Sequence, residues 1–261
     1  MIVARKAFAN IKDSATIPKF IFGSLQLFAP SFTKTRTVLV ARVYLDCCSF
    51  TRTSSFSHLR SRTLMTLSSN ALLTLHEWVQ SESLRKHCYA VADSMKHFAQ
   101  LKGQDADKWE AVGLLHDMDY ERHPNLERSS TEGHPFVGVA WLRDHGWSEE
   151  ICRAILSHAD YSGVSRDTLL EKTLYAVDEL SGFIIAVARV RPSKSIHEVE
   201  VAAVKKKMKD KAFARAVNRE DIIRGAEELG TPLEEVITAV IAALKADAER
   251  LGIQGEVGAL H

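Results

Sequence analysis

The sequence predicts an all-α protein, and three observations carry that expectation. From about residue 70 onward, apolar residues recur at three- and four-residue spacing, the period of a helix face. Residues that start and stop helices bracket these runs. No alternating apolar–polar stretch bounded by turn residues is present, and no internal repeat. Ala71-Leu72, Leu75 and Trp78-Val79 mark a first helix. Ala90-Val91, Met95 and Phe98-Ala99 mark a second, and Trp109, Val112, Leu115 and His116 a third. Phe136-Val137 and Ala140-Trp141-Leu142 form a fourth, with Pro135 in its first turn. Ser148 reads as the N-cap of a fifth, followed by Glu149-Glu150 and the apolar Ile151, Ala154 and Ile155. Leu169-Leu170, Leu174, Val177 and the Phe183-to-Val187 run make a sixth, stopped before Pro192. Beyond it, Val199 to Met208 is amphipathic with a lysine face, and Asn218 caps a helix containing Ile222-Ile223. Thr231-Pro232-Leu233-Glu234 combines an N-cap, proline at N1 and a capping-box Glu; its helix is expected to run to about Arg250 and end at Gly252. The expectation is one core of roughly nine helices over residues 66–255, with a centre at 84–192 and a C-terminal helical extension at 193–255.

Charge divides the chain. Residues 1–65 hold ten Lys/Arg and two acids, Asp13 and Asp46, for a net charge of +8; the remainder carries −7. The first segment is also rich in Ser and Thr, as in Thr53-Ser54-Ser55-Phe56-Ser57. That composition fits a transit peptide for a mitochondrion or plastid, a poorly ordered leader, or a gene-model extension with Met65 as the true start. Without targeting, the expected place is the cytoplasm. The cysteines Cys47, Cys48, Cys88 and Cys152 form no CxxC pair and are too few for a disulfide scaffold, which fits a reducing, intracellular compartment. No uncharged apolar run reaches the ~18 residues of a membrane span; Phe20 to Phe32 is shorter and contains Pro30. The acidic body argues against broad nucleic-acid binding.

Five places along the helices share one chemistry: His87, the doublet His116-Asp117, His134, His158 and Asp178. Imidazole nitrogens and carboxylate oxygens together suit divalent Mn, Fe, Co, Ni or Zn. A single histidine on an apolar face is ordinarily a packed core residue. Asp117 by itself reads as a turn carboxylate at a helix end, and Asp178 as a surface carboxylate paired with Lys172 or Arg189. The doublet, however, follows the apolar run Val112-Gly113-Leu114-Leu115, and burying an ionised Asp there is costly unless a cation pairs with it.

The local contexts are Lys86-His87, Leu114-Leu115-His116-Asp117, Gly133-His134-Pro135, Leu156-Ser157-His158 and Tyr175-Ala176-Val177-Asp178-Glu179. Their order, H…HD…H…H…D, resembles the HD superfamily of metal-dependent phosphohydrolases over about residues 87–178. The resemblance implies an HD-domain helical bundle with additional C-terminal helices. It implies one divalent ion (Mg joins the list above) on His87, His116, Asp117 and Asp178. A second ion would sit on His134 and His158, with Asp117 bridging. The pattern is also similar, more distantly, to the HD-GYP cyclic-dinucleotide phosphodiesterases. It departs from them at His158-Ala159, where that group has a His pair, and at Asp160-Tyr161-Ser162-Gly163, which stands where the GYP signature would be. Asp117 is followed by Met118-Asp119-Tyr120-Glu121, without the lysine of an HDxGK motif.

The implied reaction is hydrolysis of a phosphoester by metal-activated water, on a small phosphorylated metabolite or nucleotide. Asp117 is then a ligand and bridge, with Asp119 and Glu121 as candidate proton acceptors or orienting groups. Candidate phosphate-binding cations are Lys86, Arg122, Arg189 and Arg191. The run Lys205-Lys206-Lys207 with Lys209 reads as a solvated helix face. The same ligand set also fits a non-catalytic nucleotide- or partner-binding module, and an HD-fold di-iron oxygenase.

Overall fold

A computed structural model describes residues 65–255, so the leader and its targeting assignment lie outside the described residues. Within them the protein is all-α: ten helices, two short 3-10 turns and no strand. The helices are α1 (Leu67–Trp78), α2 (Glu82–Leu101), α3 (Ala106–Leu115), α4 (Phe136–Asp144) and α5 (Glu149–Ser157). They continue with α6 (Leu169–Arg189), α7 (Val201–Lys209), α8 (Arg219–Leu229), α9 (Leu233–Ala246) and α10 (Ala248–Leu251). None of the described helices is long and apolar enough to cross a membrane.

The two long helices form the axis. α2 packs on α6; α1 and α3 lie against α2's side of the core, α8 covers α6, and α9 spans both. One continuous apolar cluster fills the interior, with Leu75, Met95, Leu115, Leu174, Phe183 and Leu244 among its fully buried members. α6 is buried nearly all round, which explains why its sequence is apolar on every face rather than striped. Its start is fixed by a capping box between Thr168 and Glu171. Where α2 meets α3, Gly113 lies so close that a Cβ there would stand 2.5 Å from the Ala92 Cα. Glycine is therefore required for α3 to deliver the residues that follow it to the face of α2.

Most helix ends follow the sequence. Ser148 caps α5 by accepting from Ile151 N, Asn218 caps α8, and Gly252 closes α10 in a left-handed conformation. Three ends differ. Pro135 occupies the N-cap position of α4, one residue before its first turn. Thr231 does not start a helix. Its N–H donates to Ala226 O, completing the turn after Gly230 that ends α8, while Pro232 takes the cap position of α9 and Glu234 pairs with Lys205. The last helix does not run to Arg250: it breaks at Asp247 (φ −127°, ψ 32°), which turns one expected helix into α9 and α10. The break lets Ile253 bury fully and accept a 2.8 Å hydrogen bond from Ile196 N, so tertiary packing overrides a continuous helical pattern.

Beside that break Asp93 of α2 pairs with Arg250 at 3.0 Å. Burial pushes the Asp93 carboxyl up to about 7, opposed by Arg250 and reinforced by Asp247. A raised folded-state value means that the native chain binds the proton more tightly than the unfolded one. Stability then falls as pH rises from the ordinary carboxyl value through about 7. Asp93→Asn is expected to melt higher than the unsubstituted protein at pH 8, with the difference closing toward pH 4. Greater destabilisation at pH 8 than at pH 4 would show that the Arg250 ion pair outweighs the burial cost.

Candidate metal centre

Two of the six candidate ligands sit at helix C-caps, and both are oriented by the same local device. His116 ends α3 and His158 ends α5. Each folds its imidazole back onto the carbonyl three residues earlier: His116 Nδ1 lies 2.8 Å from Gly113 O, and His158 Nδ1 contacts Ile155 O. A carbonyl only accepts, so Nδ1 carries the proton and Nε2 presents its lone pair inward. The last-turn carbonyls of the helix thereby find donors as well. His134 is fixed by a side chain instead: its Nδ1 lies 2.7 Å from Asp119 Oδ1, while Asp119 Oδ2 accepts from Gly138 N at 2.7 Å. Gly138 is obligatory in that arrangement, since a Cβ would stand 2.9 Å from the Asp119 Cγ.

The backbone of His134 is held at several points. His134 N donates to His123 O at 2.7 Å, and its carbonyl accepts from Asn125 Nδ2 and Tyr161 Oη, each at 3.0 Å. Asn125 also clasps Ser129 through two 2.8 Å hydrogen bonds, which closes the connection between α3 and α4. None of these supports was singled out in the sequence. Asn125 carried the available signal, as an Asx-type residue in a loop.

The six side chains converge. His87 Nε2 is 3.0 Å from Asp178 Oδ1 and 3.3 Å from His116 Nε2, and His116 Nε2 is 3.5 Å from Asp178 Oδ1. Asp117 stands between two halves. Its Oδ2 is 3.7 Å from His87 Nε2 and 3.6 Å from His116 Nε2; its Oδ1 is 3.4 Å from His134 Nε2 and 3.6 Å from His158 Nε2. Asp117, His116, His134 and His158 are fully buried, whereas His87 and Asp178 each retain 4% exposure. The solvent-facing side of the centre is thus the one formed by α2 and α6.

This donor set fits metal. Ligands about 2.1 Å from a tetrahedral or octahedral ion stand roughly 3.0–3.4 Å apart, close to the separations observed. Among the described residues His134 Nε2 and His158 Nε2 are buried without a hydrogen-bond partner, which is costly unless an ion takes the lone pair. Burial pulls the His158 imidazole below its ordinary value, against an Asp117 contact and aided by His134 and His116, and a neutral imidazole is what a metal requires. Burial disfavours the Asp178 carboxylate, but the charges and hydrogen bonds of His116 and His87 outweigh it and hold that carboxyl well below its usual range. Two groups can each hold an ion: His87, His116 and Asp178, and Asp117, His134 and His158.

Residues 84–182 match the family model of the HD domain. This chain carries an HD domain. No curated protein and no solved structure gives a significant match. The matched span begins just before His87 and ends just after Asp178, so the HD domain holds all six side chains of the centre.

Other candidates of the HD domain and its flank are placed differently. Glu121 Oε2 accepts from Gln80 N and Ser81 N and so holds the start of α2. Lys86 is paired with Glu82 at 2.6 Å and Arg191 with Glu198 at 3.3 Å. Arg122 donates to Glu77 O and lies 5.1 Å over the Trp78 ring, at the end of α1. Arg189 ends α6, and burial lowers its pKa against the charge of Glu82.

Proposed function

We propose that this protein is a metal-dependent phosphohydrolase acting on a small phosphorylated metabolite or nucleotide. The observation that carries the reading is Asp117, whose two oxygens each face a separate pair of imidazoles inside the HD domain. Residues His87, His116, Asp178 and Asp117 would hold one divalent ion, and Asp117, His134 and His158 a second. Such ions supply Lewis acidity to a phosphoryl oxygen and acidify water near neutral pH.

The chain itself supplies orientation and exclusion. The Gly113 and Ile155 carbonyls and the Asp119 carboxylate fix which ring nitrogen faces the centre. Asp119 therefore acts as a positioning residue rather than as a proton acceptor, because both its oxygens are already engaged. Full burial of the deep half restricts water to the His87–Asp178 side. Of the four candidate cations, Lys86 directly precedes His87 on α2, whereas Arg189 lies eleven residues beyond Asp178, about 16 Å along α6. Lys86 is the one this reading retains for phosphate charge, by exchanging Glu82 for substrate.

Metal analysis of the purified chain, followed by a phosphatase and phosphodiesterase panel with each divalent ion, tests the reading. One or two equivalents of metal and a chelator-sensitive phosphoester turnover are expected. Tight nucleotide binding with no turnover under any ion would replace it with a binding module. Dioxygen uptake by an iron-loaded chain, without hydrolysis, would replace it with an oxygenase.

A further inference from the structure

The lysine-rich end of α7 does not form one uniform solvated face. Lys205 pairs with Glu234, and Lys207 pairs with Asp210 at 3.5 Å. Lys209 instead lines an open cavity of about 580 Å³, together with Lys211 and Arg215 from the turn joining α7 to α8 and Arg219 where that turn enters α8. Arg128 reaches the same cavity from the distant connection between α3 and α4. Lys209, Lys211, Arg215 and Arg128 are all exposed, and none is in an ion pair among the described residues. Glu220 is the one carboxylate lining the cavity among the described residues.

Five cations around one carboxylate repel one another, and they do so on a body that carries seven more acids than bases beyond residue 65. Such a concentration of one sign in a concave site focuses the field on an anion. The site is also preformed. Arg219 donates to the carbonyls of Ala214 at 2.9 Å, Val217 at 2.7 Å and Asp210 at 3.3 Å, and also to that of Phe213. Its guanidinium lies 5.3 Å over Phe183, and Phe213 meets the same ring edge-on at 5.4 Å. The turn that carries Lys211 and Arg215 is therefore tied to the core of α6, which lowers the ordering cost of binding. Asn218 caps α8 at the cavity wall, so the positive end of an eleven-residue helix adds to the same field.

We propose that this cavity is a second anion site, outside the HD domain's metal centre, for the phosphate chain of a polyphosphorylated ligand. Separate cations from three segments match a chain of several phosphates better than one phosphate, which a single guanidinium fork would satisfy. The site does not depend on the hydrolase reading, because none of the five cations is a candidate metal ligand.

The test is calorimetric titration of the full chain, stripped of metal by chelator, with inorganic tripolyphosphate. One-to-one binding that weakens with added salt is expected. Lys211→Glu combined with Arg215→Glu should weaken it at least ten-fold, and Arg128→Glu, from a different segment, should do so independently. Lys206→Ala, on the same helix run but not lining the cavity, should leave affinity unchanged. Circular dichroism checks that each variant is folded. A parallel titration with a nucleoside triphosphate identifies the ligand class: tighter binding than tripolyphosphate assigns the site to nucleotides, equal binding to the phosphate chain alone. Failure of both ligands to bind the metal-free chain overturns the proposal, as does affinity unaltered by the charge-reversing variants.

Discussion

Replacing Asp117 with alanine is expected to empty both halves of the centre at once. Among the described residues no other faces both imidazole pairs, with Oδ2 at 3.6–3.7 Å from one and Oδ1 at 3.4–3.6 Å from the other. A Lewis-acid ion contributes several kcal/mol to transition-state stabilisation, so phosphoester turnover should fall by on the order of 10³-fold or more. The fold should survive. The side chain contributes a buried charge rather than apolar packing, and its removal relieves repulsion with Asp178 in the metal-free state. Two measurements separate loss of metal from loss of structure. The chelator-treated variant should melt no lower than the chelator-treated unsubstituted protein. Added metal should raise the melting temperature of the unsubstituted protein only, since a ligand stabilises what it binds. Full turnover by Asp117→Ala of a substrate that the unsubstituted protein hydrolyses would end the metal reading. Lys206→Ala, exposed on α7, should change neither quantity.

The fold was legible because its signals are local. The spacing of Ala90, Val91, Met95 and Phe98 reports a helix face wherever the helix goes, and Ser148 and Asn218 cap within their own four residues. The six metal-site candidates were legible as a motif order, although nothing in that order states distances. What escaped depends on contacts between segments far apart in sequence. The carboxylate of Glu121 is taken by backbone N–H groups 40 and 41 residues away, at the start of α2. The break at Asp247 is set by Ile253 meeting Ile196, a partner outside any local window. The orienting contacts of His116 and His158 were missed for a different reason. They are local, but they follow from the geometry of a helix's last turn rather than from residue type, because the acceptors are the backbone carbonyls of Gly113 and Ile155. The lysine run was ambiguous for want of partners: Glu234 and Arg128, brought in by the fold, together with Asp210 three residues beyond Lys207, divide paired lysines from the one that lines a cavity.

Asp119→Ala should separate the two halves of the centre. Asp119 touches His134 through one oxygen and Gly138 N through the other, so its loss frees the imidazole to rotate and leaves a buried N–H without an acceptor. Removing an orienting carboxylate of this kind typically costs about 10–100-fold in metal affinity. The cost should fall on the ion held by Asp117, His134 and His158 alone, because His87, His116 and Asp178 keep their own contacts. A titration that shows two equivalents for the unsubstituted chain should then show one tight and one weakened equivalent. Asp119→Asn sharpens the test. With its amide oxygen accepting from Gly138 N, its NH₂ faces His134 Nδ1, which must then accept; the proton moves to Nε2 and blocks the ligand position. Asn should therefore restore most of the stability lost with Ala while leaving the second equivalent as weak. If Asn restores both stability and tight binding, Asp119 acts by packing alone, and the tautomer it imposes on His134 is irrelevant to the centre.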